Sequence, residues 1–179
     1  MLYESNLSRL TLPTLAVAAM LAGCSSMGMG GAPKAVAKLE PTRGSMVTGV
    51  VTFEQQRDYV MVVAKVSGLV PNQEHGFHVH EKGDCSSGDG MSAGGHFNPL
   101  GHQHGGAAGT GHAGDMPNLK ADSNGEARVS FQFIGATIGS GVTDIVGRGL
   151  IVHAKPDDYR TQPTGDAGGR LACAVIKTE

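Results

Sequence analysis

Tryptophan is absent from this 179-residue chain, aromatic residues make up only 4%, and charged residues 17%, with a formal net charge of -2. Without a basic excess there is no stripe of Lys and Arg to release counterions, which excludes nucleic acid as a partner. No apolar run reaches the roughly 20 residues that a membrane-spanning helix needs. The 28 glycines follow no G-X-Y period, so a collagen-like rod is excluded as well. Helix-period segments are also missing. What is present in excess is histidine, eight residues, and imidazole is the commonest metal ligand among side chains. The length fits one domain of ordinary size.

The first 23 residues read as an address. Arg9 is followed by the apolar stretch Leu10 to Leu21, which ends in Leu21-Ala22-Gly23-Cys24. This is the layout of a secretory signal, and Leu-Ala-Gly-Cys resembles the lipobox of bacterial lipoproteins, whose Cys is acylated and becomes the mature first residue. The alternatives are an ordinary signal with a chance Cys, or a buried helix. Residues 24–33 then read as a flexible tether carrying lipidated Cys24, and 34–179 as the functional domain. Met27 and Met29 are soft enough for Cu(I), but nothing in a linker positions them. Ser25 and Ser26 resemble the sorting residues of outer-membrane lipoproteins. The expected location is therefore the bacterial cell envelope, with membrane attachment through Cys24 and the outer membrane as the expected site.

With Cys24 set aside, Cys85 and Cys173 form an even pair in an exported chain, where disulfides persist. A bridge closing a loop of roughly 90 residues contributes on the order of 4 kcal/mol in the chain-entropy model. Two inert free thiols are the alternative.

Tyr59 to Ser67 alternates Val60, Val62, Ala64 and Val66 against Met61, Val63, Lys65 and Ser67, a strand pattern rich in β-branched residues. Similar runs lie at 35–39, 46–53, 76–80, 127–133, 149–153 and 171–176, several separated by turn signals such as Pro71-Asn72. About eight short strands predict an all-β fold, an antiparallel Greek-key sandwich or flattened barrel. The Gly-punctuated apolar segment 134–146 reads as a long crossover, part of which could face a partner subunit. Between His80 and Ala121 lie about forty residues without periodicity. A loop of that length inside a domain must be pinned by something.

Two pins are available, the Cys85–Cys173 bridge and a metal site built from histidines. His78 and His80 flank Val79, and the two-residue strand period sends both imidazoles to one face. His96, His104, His112 and Asp115 offer three nitrogens and a carboxylate, a set compatible with tetrahedral zinc. His153 ends a later strand-like run and could return to the first pair, giving the nitrogen-only ligation that suits copper. His102, two residues before His104, is a competitor for the zinc position.

The segments Gly76-Phe77-His78-Val79-His80-Glu81, Gly94-Gly95-His96-Phe97-Asn98-Pro99, His104-Gly105-Gly106, Gly111-His112-Ala113-Gly114-Asp115, Val152-His153-Ala154-Lys155 and Gly165-Asp166-Ala167-Gly168-Gly169-Arg170-Leu171-Ala172-Cys173 resemble, in order, the copper/zinc superoxide dismutases. That resemblance implies copper at His78, His80, His96 and His153, and zinc at His96, His104, His112 and Asp115, with the His96 imidazolate bridging them. It makes Asp157 the carboxylate that hydrogen-bonds one ligand of each metal, although a turn residue is the plain alternative there. Arg170 becomes the cation that guides the anion, Thr164 a channel-lining residue, and His75 a structural residue beneath the copper site. The implied reaction is dismutation of superoxide to dioxygen and hydrogen peroxide, catalysed with His96, Arg170 and Thr164 and protecting the cell envelope. A non-catalytic metal store is the rival reading, and Arg170 argues against it, because a store needs no anion-docking cation. Cys85 stands four residues after Glu81 as in bacterial members, while His96-Phe97-Asn98-Pro99 looks eukaryotic. The dimer interface differs between those branches, so a homodimer is expected with its interface open. The segment 154–169, corresponding to the electrostatic loop, is shorter than in eukaryotic members, and Lys155 or Lys82 are the remaining candidates for steering charge.

Overall fold

A computed structural model describes Met1, residues 31–106 and residues 110–179. Apart from Met1, the expected signal and lipobox, Cys24 included, lie outside those residues. Among the described residues ten strands occur in chain order: β1 (Lys34–Pro41), β2 (Thr48–Gln55), β3 (Val60–Ser67), β4 (Glu74–His75), β5 (Phe77–His80), β6 (Leu119–Lys120), β7 (Ala127–Phe133), β8 (Gly149–His153), β9 (Arg170–Val175) and β10 (Lys177–Thr178). The one other regular element among the described residues is a 3-10 turn at Met91–Ala93.

Every named pairing is antiparallel, and the main sheet runs β5-β8-β9-β1-β2-β3-β7, with β10 also on β1. β1 joins the two halves, because Lys34 to Leu39 pair with β2 whereas Glu40 and Pro41 pair with β9. The chain crosses between the two sides of this order three times, from β3 to β5, from β5 to β7 and from β7 to β8, as the expected Greek-key sandwich requires. The last of these crossovers is the apolar segment 134–146. It buries Ala136, Ile138 and Ile145 and leaves Ile134 and Val142 exposed.

β3 keeps its period of two: Val60, Val62, Ala64 and Val66 are buried against Phe53 and Phe133 in the core. β5 and β8 lack an exposed face altogether, since all nine of their residues are buried. Their inward residues Phe77, Val79, Leu150 and Val152 belong to the core, while His78, His80, Ile151 and His153 occupy the opposite face. That outer face is shielded from water by two long loops, 81–118 and 154–169. The first loop docks on the free edge of β5, where Val79 donates its N–H to Gly114 O and accepts from Phe97 N, both at 2.9 Å. The expected pin is present: Cys85 and Cys173 form a disulfide with their Cα atoms 5.8 Å apart, a separation that suits the bond.

β9 carries an irregularity that matters for the site. Val152 faces Ala172 but His153 faces Arg170, so Leu171 is an extra residue in a β-bulge. Leu171 and Ala172 both pack on the core, and Arg170 thereby turns to the outer face, above which the first loop runs.

Candidate metal centre

Strand periodicity places His78 and His80 side by side on the outer face of β5. His153, at the end of neighbouring β8, joins them, with its ring centroid 4.9 Å from that of His78 and 5.4 Å from that of His80. The first loop adds His96, whose main chain pairs with that of His80 in an isolated antiparallel β-bridge and whose ring centroid lies 4.0 Å from that of His78. One potential ligand atom from each of His78, His80, His96 and His153 lies within 4.8 Å of the others, and the same holds for His96, His104, His112 and Asp115. His96 is common to both groups. All seven residues are buried.

The hydrogen bonds select which nitrogen each ring presents. Asp157 accepts from His78 Nε2 at 2.8 Å and from His104 Nε2 at 2.9 Å, tying one ring of each group to a single carboxylate. That leaves Nδ1 of both rings free. His80 donates Nδ1 to Gly94 O at 2.9 Å and His153 donates Nδ1 to Gly168 O at 3.3 Å, so their Nε2 atoms, 3.3 Å apart, face each other. His96 turns Nδ1 to Asp115 Oδ1 at 2.9 Å and Nε2 towards the first group. His104 Nδ1 lies 3.0 Å from Asp115 Oδ2 but off the direction of a hydrogen bond.

The result is an accumulation of unsatisfied groups. His78 Nδ1, His96 Nε2, His104 Nδ1 and His112 Nδ1 are buried without any hydrogen-bond partner, and each such atom costs about 1–3 kcal/mol. Converging lone pairs of this kind fit metal ions: four nitrogens for one, three nitrogens and a carboxylate for the other. Burial pushes His78 down to about 4, and burial with neighbouring imidazoles holds His80 and His153 well below their usual range, so these rings are neutral and able to ligate at pH 7. His104 behaves differently. Burial works against its charge, but Asp115 and Asp157 outweigh it and raise the ring to about 9. Both carboxyls, despite burial, are held well below the usual carboxylate range with His104 as the leading partner, which hydrogen-bonds Asp157 and stands 3.0 Å from Asp115.

Arg170 lies at the edge of the first group. Its Nη1 donates to Gly90 O and its Nη2 to Gly94 O, both at 2.6 Å, so Gly94 O serves Arg170 and His80 together. Thr164 is half-buried in the turn before Gly165, with no hydrogen bond to a ligand. His102 is exposed and belongs to neither group. His75 is buried beneath His153, whose carbonyl it contacts through Nδ1 at 2.8 Å. Lys155 pairs with Asp166 at 3.6 Å.

The sequence model of the family described as copper/zinc superoxide dismutase (SODC) matches residues 47–176. The chain belongs to this family. It is 40% identical over 149 residues to the superoxide dismutase [Cu-Zn] 2 of Aquifex aeolicus, covering 80% of this chain and 86% of that one. With the superoxide dismutase [Cu-Zn] of Saccharomyces cerevisiae it shares 42% over 152 residues, or 80% and 96% of the two chains. Among solved structures, the clock protein EA4 superposes with a TM-score of 0.75 at 39% identity, covering 83% of this chain and 96% of that one. The enzyme is a superoxide dismutase, with copper and zinc as its cofactors.

Several residues that shape the site carry no sequence signal. Asn118 grips the main chain of Asp157, and Tyr159 N donates to Asp157 Oδ1 at 2.7 Å. Gly165 packs so closely on the Asp157–His104 pair that a Cβ would overlap Asp157 Oδ1. An amide or a glycine in an irregular loop has no periodicity by which to be found.

Proposed function

We propose that copper is held by His78 Nδ1 and by Nε2 of His80, His96 and His153, and zinc by His104, His112, Asp115 and His96 Nδ1, with the His96 ring as the bridge. The observation that carries this reading is His96 itself, the one residue shared by both groups, with its two nitrogens directed to different groups. Copper supplies the one-electron chemistry by which one superoxide is oxidised to dioxygen and a second is reduced, with two protons, to hydrogen peroxide. Arg170 attracts the anion, and its guanidinium is kept in place by the carbonyls of Gly90 and Gly94. Thr164 lines the approach. His96 holds a proton at Nε2 in one half of the cycle and delivers it to the departing peroxide in the other, while Nδ1 remains with the Asp115 group. Asp157 keeps the Nε2–H tautomer on His78 and His104, leaving Nδ1 of each to ligate. Elemental analysis with a superoxide-consumption assay tests the assignment. One copper and one zinc per chain with turnover are expected, and zinc retained at full occupancy after Asp115→Ala would refute it.

The enzyme works in the cell envelope, anchored by acylated Cys24. The lipobox Leu21-Ala22-Gly23-Cys24 supports this, since acyl chains supply about 0.8 kcal/mol per buried CH₂. Cys24→Ser should move the enzyme to the soluble fraction, and unchanged membrane partitioning would exclude Cys24 as the anchor. Exposed Ile134 and Val142 on the β7–β8 crossover offer apolar surface to a second copy, in keeping with a homodimer. Sedimentation at micromolar concentration as a monomer would refute that assembly.

A further inference from the structure

The hydrogen bond from His104 Nε2 to Asp157 Oδ1 joins the two long loops, and the main chain at each of its ends is held by a carboxamide from the opposite loop. Asn118, on the first loop, donates Nδ2 to Asp157 O and accepts Asp157 N at Oδ1, both at 2.9 Å. Gln162, on the second, accepts His104 N–H at Oε1 at 2.8 Å and donates Nε2 to His104 O at 2.9 Å. A primary amide carries one acceptor and a donor pair, so each of these side chains satisfies both backbone groups of one residue, as a strand neighbour would.

His104 needs such a partner more than the other histidines do. His78, His80 and His153 stand on strands whose ladders fix their backbones. His104 lies in an irregular stretch and is followed by Gly105 and Gly106, whose wide conformational range does nothing to hold it. Its ring is tied by Asp157, but a ring tied at one nitrogen can still pivot unless its own main chain is fixed. Gln162 supplies that second constraint from 58 residues away.

We infer that Gln162 is a positioning residue for zinc: its carboxamide locks the backbone of His104 so that Nδ1 meets the metal, which makes zinc retention depend on the seating of the second loop. The inference rests on the assignment of His104 to zinc proposed above. Gln162 touches no group-one histidine through a hydrogen bond, so copper should be indifferent to it.

The test uses the full-length enzyme loaded with copper and zinc, alongside Gln162→Ala and Gln162→Glu. Glu is the same size and keeps the acceptor for His104 N–H, but it cannot donate to His104 O and sets two acceptors face to face, so it serves even if the alanine variant folds poorly. Transfer of zinc to a chelator should quicken about 3- to 10-fold in both variants, the scale of one or two net hydrogen bonds, with copper release within about twofold of the parent. With Co(II) in place of zinc, the d–d absorption envelope should shift in the variants. Zinc release at the parental rate with an unchanged Co(II) spectrum would overturn the inference. So would equal acceleration of zinc and copper release, which would show general loosening. A parent enzyme that binds no stoichiometric zinc would instead overturn the ligand assignment on which the clamp depends.

Discussion

Removing the Asp157 carboxylate should separate the two metals by affinity. In Asp157→Ala, His104 and His78 each lose a buried hydrogen bond at Nε2, and Asp157 is only 2% exposed, so solvent does not replace the carboxylate readily. A hydrogen bond to a charged group contributes about 1.5–3 kcal/mol, which corresponds to about 10- to 100-fold in binding at ~1.4 kcal/mol per decade. The two rings do not feel this loss equally. His78 stays on β5, paired through its backbone with Ile151. Apart from its close approach to Asp115, His104 has only Gln162 left, and that residue rides on a turn that Asp157 itself organises by accepting Tyr159 N–H. Zinc affinity should therefore fall by about 10- to 100-fold and copper affinity by less than about tenfold. Chelator competition, followed separately for each metal at fixed pH, reads both numbers. Loss of copper with zinc held at parental affinity would refute the reasoning, because it would mean that the strand does not hold His78 independently of Asp157.

Arg170→Glu should reduce superoxide turnover at least tenfold, about 1.4 kcal/mol or more in transition-state terms, with zinc content unchanged. Salt should slow the parent more than the variant, since it screens an attraction, and parental activity in the variant would remove Arg170 from the role of anion guide. In the metal-free protein, His104, raised to about 9, is protonated at neutral pH. Its pairing therefore stabilises the fold fully below the ordinary histidine value of 6.5 and is lost as pH rises through about 9. Zinc must displace that proton, so apparent zinc affinity should climb as pH rises towards 9. Calorimetry in buffers of different ionisation enthalpy should show proton release at pH 7, and none would contradict the paired imidazolium. Cys173→Ser should lower the stability by a few kcal/mol, on the order of 4 in the chain-entropy model, and should speed zinc release. A melting temperature equal to the parent's would argue that the loop is held without the bridge.

The strands were legible because their pattern is physical. Val60, Val62, Ala64 and Val66 alternate in the chain and alternate in burial, and β7 and β8 start and end where the apolar runs do. The two-residue strands β4, β6 and β10 were not, since a pair of residues is too short to show a period. His78 and His80 declared their common face through spacing. His96, His104, His112 and Asp115 could be grouped as candidates by type, but spacing in an irregular loop does not say which nitrogen points where. That information resides in Gly94 O, Gly168 O and Asp157, acceptors brought in from elsewhere in the chain. Asn118 and Gln162 were invisible for the same reason: a carboxamide acts here through a partner 39 or 58 positions away.

The bulge at Leu171 bears on any attempt to transplant this centre. Arg170 and Cys173 are three residues apart and both reach the first loop, one through Gly90 and Gly94 and the other through Cys85. A regular strand puts only even-numbered separations on one face, so an ideal β9 carrying the same residues would aim either the guanidinium or the sulfur into the apolar interior. Grafting His153, Arg170 and Cys173 onto another sandwich therefore requires moving the extra residue with them, and a designer who idealised the strand first would recover the ligands while losing either the cation or the cross-link.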